Sequence, residues 1–293
     1  MWLLVVNQRA GKKKGLTLAN EFAKLIEQNK YKYHLINENS VEATNQALKS
    51  LLETGEYSKV IAFGGDGLVN LCIQHIVSTD VSFGVVAAGS GNDFSRTVGT
   101  HKKSITQLFE LYSKESPSRV DVGRISCGNQ ATYYVQVLST GFDSMVNSYA
   151  NGLKFLRGKL KYTVAMLFSL KKFQPIDYQF SVDGRSYSKN AMLLSIANGY
   201  CYGGGMKINP FAKNSDGFLN VLIVEPVSRI KLLALFPRIL TGSHVKHPKV
   251  STMSGKVISV EARTDSYADG EFISALPIQV SVVPGALRAW VLQ

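Results

Sequence analysis

The first 118 residues alternate between short apolar runs and longer segments with helical spacing. Four apolar runs predict buried strands, at Leu3–Val6, Tyr33–Ile36, Val60–Phe63 and Phe83–Ala87. Between them, apolar side chains recur three, four and seven residues apart, as at Leu18, Phe22, Leu25 and Ile26. Such spacing predicts helices, and strands separated by helices predict βαβ units with a mostly parallel sheet.

Two further helices are predicted in this region by the same spacing. One runs from Val41 to about Leu52 and is expected to bury Leu48, Leu51 and Leu52, and the other runs from about Leu68 to Val77.

From about Asp121 the pattern becomes one of short β-type runs separated by Gly, Asn, Asp or Pro. These runs are Ala131–Leu138, Asp177–Val182, Ala191–Ala197, Leu219–Glu225, Val257–Glu261 and Ile278–Val283. Helical exceptions are a basic region at 144–173 and a helix near Arg229–Leu240. Many short strands with turn signals predict a β-sandwich or barrel-like second domain. Linker composition at Ser116–Ser118 divides the chain into domains 1–118 and 119–293, with a last strand that could pack back on the first.

The net charge of +12 over 293 residues indicates an anionic partner, which could be nucleic acid, a nucleotide phosphate or an anionic membrane leaflet. Part of this charge lies in Lys154–Tyr162 and Lys171–Phe173, where basic and bulky apolar residues alternate. That pattern is typical of a membrane surface, or of a solvated helix face. The longest apolar stretches, such as Tyr162–Leu170, fall short of the ~20 residues needed to cross a bilayer.

Cysteine usage and the N-terminus both favour a cytoplasmic protein. Cys72, Cys127 and Cys201 are widely separated, which indicates reduced thiols rather than disulfides or a zinc site. Met1 leads directly into Trp2–Val6, which predicts a first strand rather than a signal peptide.

Two glycine segments follow predicted strands of the first domain: Gly64-Gly65-Asp66-Gly67 and Gly89-Ser90-Gly91-Asn92-Asp93. Glycines at the carboxyl ends of buried strands bring backbone N–H groups up to a phosphate. Asp66 would then organise a phosphate-bridging Mg²⁺. A tight strand-to-helix turn with a capping Asp is the simpler alternative for the first segment taken alone.

Two acidic segments in the second domain can each be interpreted as a simple turn or as part of a functional site. Asp269-Gly270-Glu271, if extended, would place both carboxylates on one side, where one could take a proton from an attacking alcohol. Asn214-Ser215-Asp216-Gly217 is a natural turn that could also hold a hard cation.

Taken together and in this order, the motifs resemble those of the bacterial diacylglycerol-kinase-type lipid kinases, relatives of the diacylglycerol, sphingosine and ceramide kinases. The resemblance runs nearly end to end. It rests on Asn7–Gly11, Gly64–Asn70, Gly89–Phe94, Gly141–Asp143, Gly203–Pro210, Ser215–Gly217, Asp269–Glu271 and Pro284–Leu287.

The resemblance implies a Rossmann-like nucleotide domain and a β-sandwich, with an ATP- and Mg²⁺-dependent active site between them. The residues that it assigns to ATP are Asn7, Gln8, Arg9, Ala10, Gly11, Asn37, Gly64, Gly65, Asp66, Gly67, Leu68, Val69, Asn70 and Ser90. It assigns a structural Mg²⁺ to Asp216 with the carbonyls of Lys213 and Phe218. The proton acceptor falls on Glu271, with Asp269 as the close second.

This chain departs from the family pattern at five positions, one of which is Asn37, where the family has a Thr near the nucleotide. Leu68 replaces a Thr whose hydroxyl serves a phosphate oxygen, and Ser90 replaces another Thr but keeps the hydroxyl. Gln8 and Ala87 each replace a Pro. Loss of one phosphate hydrogen bond would cost about 1–2 kcal/mol of binding or transition-state stabilisation, or about tenfold in rate.

The leading hypothesis is a peripheral lipid kinase at the inner face of the membrane, most simply one that converts diacylglycerol to phosphatidic acid. An NAD-kinase-like enzyme with a soluble substrate and a non-catalytic nucleotide- or lipid-binding regulator are the alternatives. Nucleic acid binding lacks a supporting motif. Exposed sheet edges in the second domain would allow a homodimer.

Overall fold

The computed structural model of the chain describes residues 1–7, 14–128, 130–152 and 158–292. It divides into two compact units: unit 1 comprises Met1–Val122 with Pro284–Gln293, and unit 2 comprises Gly123–Val283. The linker composition predicts a boundary at 118, whereas the first unit ends four residues later. The reason is local, since a strand already begins at Ser118 and runs through the predicted linker end.

Unit 1 consists of alternating strands and helices followed by the beginning of one long strand and the end of another. Its elements are β1 (Trp2–Val6), α1 (Lys14–Gln28), β2 (Tyr33–Ile36), α2 (Val41–Glu53), β3 (Lys59–Gly64), α3 (Asp66–Ile76), β4 (Ser82–Ala87), α4 (Asp93–Thr97), α5 (Ile105–Lys114), β5 (Ser118–Cys127, entering unit 2) and the end of β16 (Ile278–Ala289). The four predicted strands and three predicted helices are confirmed, while α4 and α5 were not predicted.

The sheet of unit 1 is parallel, with the strand order β2-β1-β3-β4. Arg288 and Ala289 of β16 pair in parallel with β4 on its other side. All five residues of β1 are buried, as expected for a parallel strand covered on both faces. One helix expectation was too broad: Leu48 of α2 is buried, but Leu51 and Leu52 are only half-buried.

The described part of unit 2 contains mostly antiparallel strands, three α-helices and a short 3₁₀ helix at Ser243–Lys246. Its further elements are β6 (Gln130–Tyr134), β7 (Val137–Gly141), α6 (Phe142–Gly152), α7 (Gly158–Lys172), β8 (Ile176–Val182), β9 (Arg185–Ala191), β10 (Leu193–Ala197), β11 (Leu219–Val224), α8 (Arg229–Thr241), β12 (Val250–Gly255), β13 (Val257–Glu261), β14 (Asp265–Ala268) and β15 (Glu271–Ala275).

The strands of unit 2 form a sandwich, as predicted. One sheet has the order β12-β11-β10-β7-β14-β15, and the other joins the first half of β16 to β13, β8 and β9. Both sheets contribute to one apolar core, which contains Leu138, Ile196 and Val221 from the first and Phe180 and Val260 from the second. Such shared burial is what holds two sheets face to face.

The single strand predicted at Ala131–Leu138 is divided into two strands in the structure. The run Ala131–Leu138 breaks between β6 and β7 because the backbone N–H groups of Val135, Gln136 and Val137 donate to the side chain of Asp269 instead of continuing a strand ladder. The run Ala191–Ala197 is likewise divided between β9 and β10.

The helices α6, α7 and α8 share a separate apolar cluster that includes Phe142, Phe173 and Leu232. This burial corrects the membrane-surface interpretation of 171–173: Lys171 and Lys172 are exposed, but Phe173 is a core residue against Phe142. Residues 154–157 of the basic stretch lie outside the described residues. No helix in the described part of the chain has the length and hydropathy to cross a membrane.

Candidate functional site

The two glycine segments of unit 1 lie at the same edge of its sheet. β3 ends at Gly64 and β4 at Ala87, and these two residues are register partners in the parallel pair. Gly65 and Gly89 then pass so close that a Cβ on Gly89 would lie 2.5 Å from the Gly65 Cα. Only glycine permits this approach, so the sequence brings two backbone turns together at the ends of adjacent strands.

Asp66, the first residue of α3, connects these turns. Its Oδ1 accepts the backbone N–H groups of Asp93, at 2.7 Å, and Phe94, at 3.3 Å. Its Oδ2 faces Gly91, where a Cβ would lie 2.5 Å from that oxygen and 3.3 Å from Asp93 Oδ2. Two carboxylates therefore converge on a space that exists because residue 91 has no side chain.

The electrostatics of this pair disfavour an unneutralised negative charge. Burial, and then the nearby charge of Asp93, raise the pKa of Asp66 to about 6, although backbone hydrogen bonds from Asp93, Phe94 and Asn92 oppose the rise. Carboxylate oxygens are the ligands that Mg²⁺ prefers, and a cation would favour the ionised form. The residues thus fit a divalent cation.

Asn92 shapes the second turn. It adopts a left-handed conformation with φ of 58°, its Oδ1 accepts the N–H of Gly89 and its Nδ2 donates to the carbonyl of the same residue. Because of this turn Asp93 points back toward Asp66. The sequence alone does not assign Asp93 to the site, since the orientation of its side chain depends on the backbone at Asn92.

The other residues assigned to ATP differ in their surroundings. Asn7 follows β1 and is exposed, its backbone N–H donating to the Phe63 carbonyl, and Asn37 is half-buried after β2. Gly67 and Ser90 are exposed, and Asn70 is half-buried in α3. Gln8, Arg9, Ala10 and Gly11 lie outside the described residues.

Leu68 and Val69 contribute side chains to the interior of unit 1. Leu68 is 6% exposed and lies over Gly64, where an added Cβ would come within 2.7 Å of Leu68 Cδ2. The position that carries a phosphate-binding hydroxyl in the resembling family is therefore an apolar packing position in this chain.

In unit 2, Asp269 and Gly270 form the two-residue turn between β14 and β15. Both have positive φ, 51° and 90°, as in a type I′ hairpin. Asp269 Oδ1 accepts the N–H groups of Gln136 and Val137, and Oδ2 accepts that of Val135, at 2.9–3.1 Å. The segment is not extended at Asp269, so the condition under which Asp269 and Glu271 would face one side as neighbours in a strand is not met. Glu271 begins β15 and is exposed.

Asp216 lies in the turn that the sequence predicts. It is exposed, and its Oδ1 accepts the N–H of Phe218 at 3.0 Å. Over the described ranges, no three His, Cys, Asp or Glu residues are grouped as metal ligands. A cation at Asp216 would therefore depend on main-chain carbonyls such as those of Lys213 and Phe218, and this assignment stays a prediction.

Unit 2 also contains an apolar cavity of about 40 Å³ beneath α8. Its polar lining includes Asp143, whose Oδ2 accepts the Tyr202 hydroxyl at 2.6 Å, and His244, which bonds the carbonyl of Ile208 through Nε2. Burial raises the pKa of Asp143 to about 6 and lowers that of His244. In the sequence, Asp143 is part of the Gly141–Asp143 motif, and nothing in that motif alone assigns it a role.

Two protein families match the two halves of the chain. Residues 1–125 match the diacylglycerol kinase catalytic domain, and residues 136–291 match the YegS C-terminal NAD kinase beta sandwich-like domain.

Curated relatives and solved structures agree with these matches. A diacylglycerol kinase of Mycobacterium tuberculosis is 37% identical over 78% of this chain and 75% of its own length, and one of Bacillus subtilis is 23% identical over 80% and 78%. A crystal structure of a diacylglycerol kinase from Bacillus anthracis covers 99% of the chain and 96% of its own, with a TM-score of 0.72 at 19% identity. Another structure from that organism reaches a TM-score of 0.81 at 20% identity.

Proposed function

Because this chain belongs to the diacylglycerol kinase family, we propose that it transfers the γ-phosphate of ATP to a lipid alcohol, with diacylglycerol as substrate and phosphatidic acid as product. The observation that carries the proposal is the convergence of Asp66 and Asp93 on Gly91, between two glycine turns at the ends of adjacent parallel strands. Phosphoryl transfer requires positioning, charge neutralisation and a base, and each requirement has a candidate residue.

The glycine turns position the nucleotide in this proposal. The approach of Gly65 to Gly89 leaves backbone without side chains. The N–H groups of Asp66 and Gly67 lie at the N-terminus of α3, where a helix provides them with no acceptor of its own. These N–H groups bind the phosphates. Val69 and Leu68 fix that turn by packing into unit 1.

Asp66 and Asp93 hold a divalent cation. Two carboxylates beside a phosphate site, Asp93 buried and Asp66 half-buried, would repel the phosphates unless positive charge lay between them, which is the reason for assigning Mg²⁺ here. When bound, Mg²⁺ neutralises phosphate charge. The N–H groups of Asp93 and Phe94 keep Asp66 Oδ1 oriented, which leaves Oδ2 toward Gly91.

Glu271 accepts the proton of the lipid hydroxyl. Both oxygens of Asp269 are occupied by backbone donors, so Asp269 fixes the hairpin that carries Glu271 while the exposed Glu271 supplies the base. This choice between two acidic residues follows from their different surroundings within unit 2.

The test is transfer of labelled phosphate from [γ-³²P]ATP with Mg²⁺ to diacylglycerol in mixed micelles. We expect labelled phosphatidic acid from the parent protein, and its loss in Asp66→Asn and Glu271→Gln. Asp80→Asn and Glu261→Gln are matched controls, because both residues are exposed, one in each unit. The cation is checked separately: Mg²⁺ should raise the Tm of the parent but not that of Asp66→Asn, and Asp216→Asn reports on the second assigned cation position.

Different outcomes would identify the alternatives. Phosphorylation of NAD without lipid turnover would favour a soluble-substrate kinase. The family that matches the second domain is itself named for its likeness to the NAD kinase β-sandwich. ATP binding with no turnover across a lipid panel would favour a regulator. Full lipid kinase activity of Asp66→Asn would refute the site.

A further inference from the structure

The helix α8 of unit 2 has two apolar faces, of which only one is covered by the residues that the structure describes. Leu232, Leu235 and Ile239, spaced three and four residues apart, are 6–9% exposed. They line the cavity that also contains Asp143 and Tyr202. This inner face explains why the helix packs where it does.

The opposite face is exposed. Ile230 is 80% exposed, Leu233 39% and Leu240 60%, and Pro237 between them is also exposed. The spacing of three, four and three residues places these four side chains in one stripe along the helix. We call them the outer stripe of α8. Solvated helix faces are normally polar, so this stripe requires an explanation outside the folded unit.

Basic residues flank the outer stripe on both sides. At 100° per residue, Arg229 lies beside one edge and Lys231 and Arg238 beside the other, and all three are exposed. Residues 226–260 contain six Lys or Arg and no Asp or Glu.

The charges of the first turn oppose the helix dipole. Arg229 and Lys231 lie at the N-terminal end of α8, which has no acidic residue in its first turn. Cations at a helix N-terminus are unfavourable for the helix itself. The sequence therefore carries positive charge where it does not stabilise the fold, which indicates an external anionic partner.

We propose that the outer stripe of α8 docks on the surface of an anionic lipid bilayer, with the stripe in the acyl boundary and the flanking basic residues at the headgroups. An apolar stripe bordered by Lys and Arg is the composition of helices that lie in this interface. This proposal rests on the proposed function, since a kinase that acts on a membrane lipid must reach its substrate at the membrane. It also places the lipid surface against the helix whose inner face lines the cavity.

A second copy of the chain fits the stripe less well. A two-fold contact through α8 would bring the same patch of both copies together. Each copy would place its three exposed cations near those of the other, with no acidic residue on the helix to compensate.

The first experiment measures binding of the full chain to vesicles of phosphatidylglycerol and phosphatidylcholine, and to vesicles of phosphatidylcholine alone. Ile230→Ser with Leu240→Ser should weaken binding to the anionic vesicles at least about tenfold, because two large apolar side chains leave the interface. Val41→Ser with Val257→Ser is the matched control, as both residues are exposed and lie on other elements. Equal binding by the stripe variant, its control and the parent would overturn the proposal.

The second experiment tests the charges. Lys231→Gln with Arg238→Gln should weaken binding to the anionic vesicles by about fivefold for each residue, or about 25-fold together. Lys24→Gln with Lys49→Gln, two exposed lysines of unit 1, should change it much less. An equal loss in both pairs would overturn the assignment to α8, since it would report only total charge.

Turnover separates failure of this proposal from failure of the proposed function. The stripe variant should lose activity on diacylglycerol in anionic vesicles and retain it on a short-chain diacylglycerol dispersed as monomer. Vesicle binding that depends on α8 in a protein with no lipid turnover would support docking and refute the kinase assignment. Lipid turnover with unchanged vesicle binding in both α8 variants would support the kinase assignment and refute docking through α8. Dissociation of an oligomer by the stripe variant, with vesicle binding unchanged, would identify a subunit interface and overturn docking.

Discussion

Each unit contains an Asp-Gly pair with a structural role, at the start of α3 in unit 1 and in the β14–β15 turn of unit 2, and the two pairs use their carboxylates in different ways. Asp66, before Gly67, accepts backbone N–H groups through Oδ1 and directs Oδ2 to the space at Gly91 shared with Asp93. Asp269, before Gly270, accepts backbone N–H groups through both oxygens.

The difference shows how the same residue pair becomes a ligand site in one place and a structural clamp in the other. A carboxylate with one oxygen directed at a second carboxylate is electrostatically unfavourable until a cation arrives. A carboxylate satisfied by three donors stabilises the unbound protein and has little capacity left for chemistry. Substitutions at the two sites should therefore separate activity from stability.

The largest expected effect is on activity at the first turn. Gly91→Ala would place a Cβ 2.5 Å from Asp66 Oδ2 and displace the carboxylate without a strained φ. We expect a loss of kcat/KM of about 10²–10³-fold with little change in Tm. Gly152→Ala is the control, because no atom of the described residues lies within 4 Å of an added Cβ there. Activity near the parent value would show that the space at Gly91 has no catalytic use.

At the β14–β15 turn, the expected effect of a substitution is a loss of stability. Asp269→Ala leaves three backbone donors without their acceptor and should lower the free energy of unfolding by about 3–5 kcal/mol, as measured by urea denaturation. Asp265→Ala, exposed in the same hairpin, should cost far less. A variant that unfolds like the parent but has no activity would instead make Asp269 the base.

The buried carboxylate of Asp143 sharpens the comparison, because its Oδ2 accepts the Tyr202 hydroxyl at 2.6 Å while its burial opposes a negative charge. Burial raises its folded pKa to about 6, above the unfolded value of about 3.9. The folded state therefore keeps a proton that the unfolded state has released, and stability falls as pH rises from about 4 to 6.

Asp143→Asn removes this dependence and keeps an acceptor for Tyr202. At pH 8 it should be more stable than the parent by about 2–3 kcal/mol, and near pH 4 the two should converge. Denaturant curves across this range provide the check. If the unfolding free energies of the variant and the parent changed with pH in parallel, the raised pKa of Asp143 would not be the cause of the pH dependence.

The packing position Leu68 tests how far the first turn depends on a hydroxyl. Leu68→Thr should raise kcat/KM by up to about tenfold if the new hydroxyl reaches a phosphate oxygen. It should also lower stability by about 1–2 kcal/mol, because a buried side chain loses volume over Gly64. Leu68→Val, smaller but apolar, separates the two effects; an equal rise in both variants would exclude a role for the hydroxyl.

The smallest effect is expected at Gly270. Its φ of 90° disfavours any Cβ, although no atom would contact one. Gly270→Ala should cost about 1–2 kcal/mol in unfolding free energy, with Gly152→Ala again as control. A loss of activity beyond that of stability would place Gly270 in the chemistry.

The sequence predicts the parallel sheet and its glycine turns because apolar runs and glycines are local signals. It does not predict the convergence of Asp93 on Asp66, which depends on the left-handed conformation of Asn92. The sequence also does not predict the hairpin β14–β15, because its residues are mixed in polarity. Its turn is fixed by contacts with Val135–Val137, more than 130 residues earlier in the chain. Short helices such as α5 likewise have too few periods to stand out.

The strand β16 has a consequence for synthesis of the chain. β4 of unit 1 is completed by Arg288 and Ala289, and the indole N–H of Trp290 donates to the Glu115 carbonyl. These partners leave the ribosome only after the roughly 160 residues of unit 2, about 8–30 s later at usual elongation rates. During that interval the nascent first unit exposes an unpaired apolar strand edge. Chaperone dependence during translation should therefore be traceable to this late strand, and a version with Pro284–Gln293 moved ahead of Met1 should reduce it.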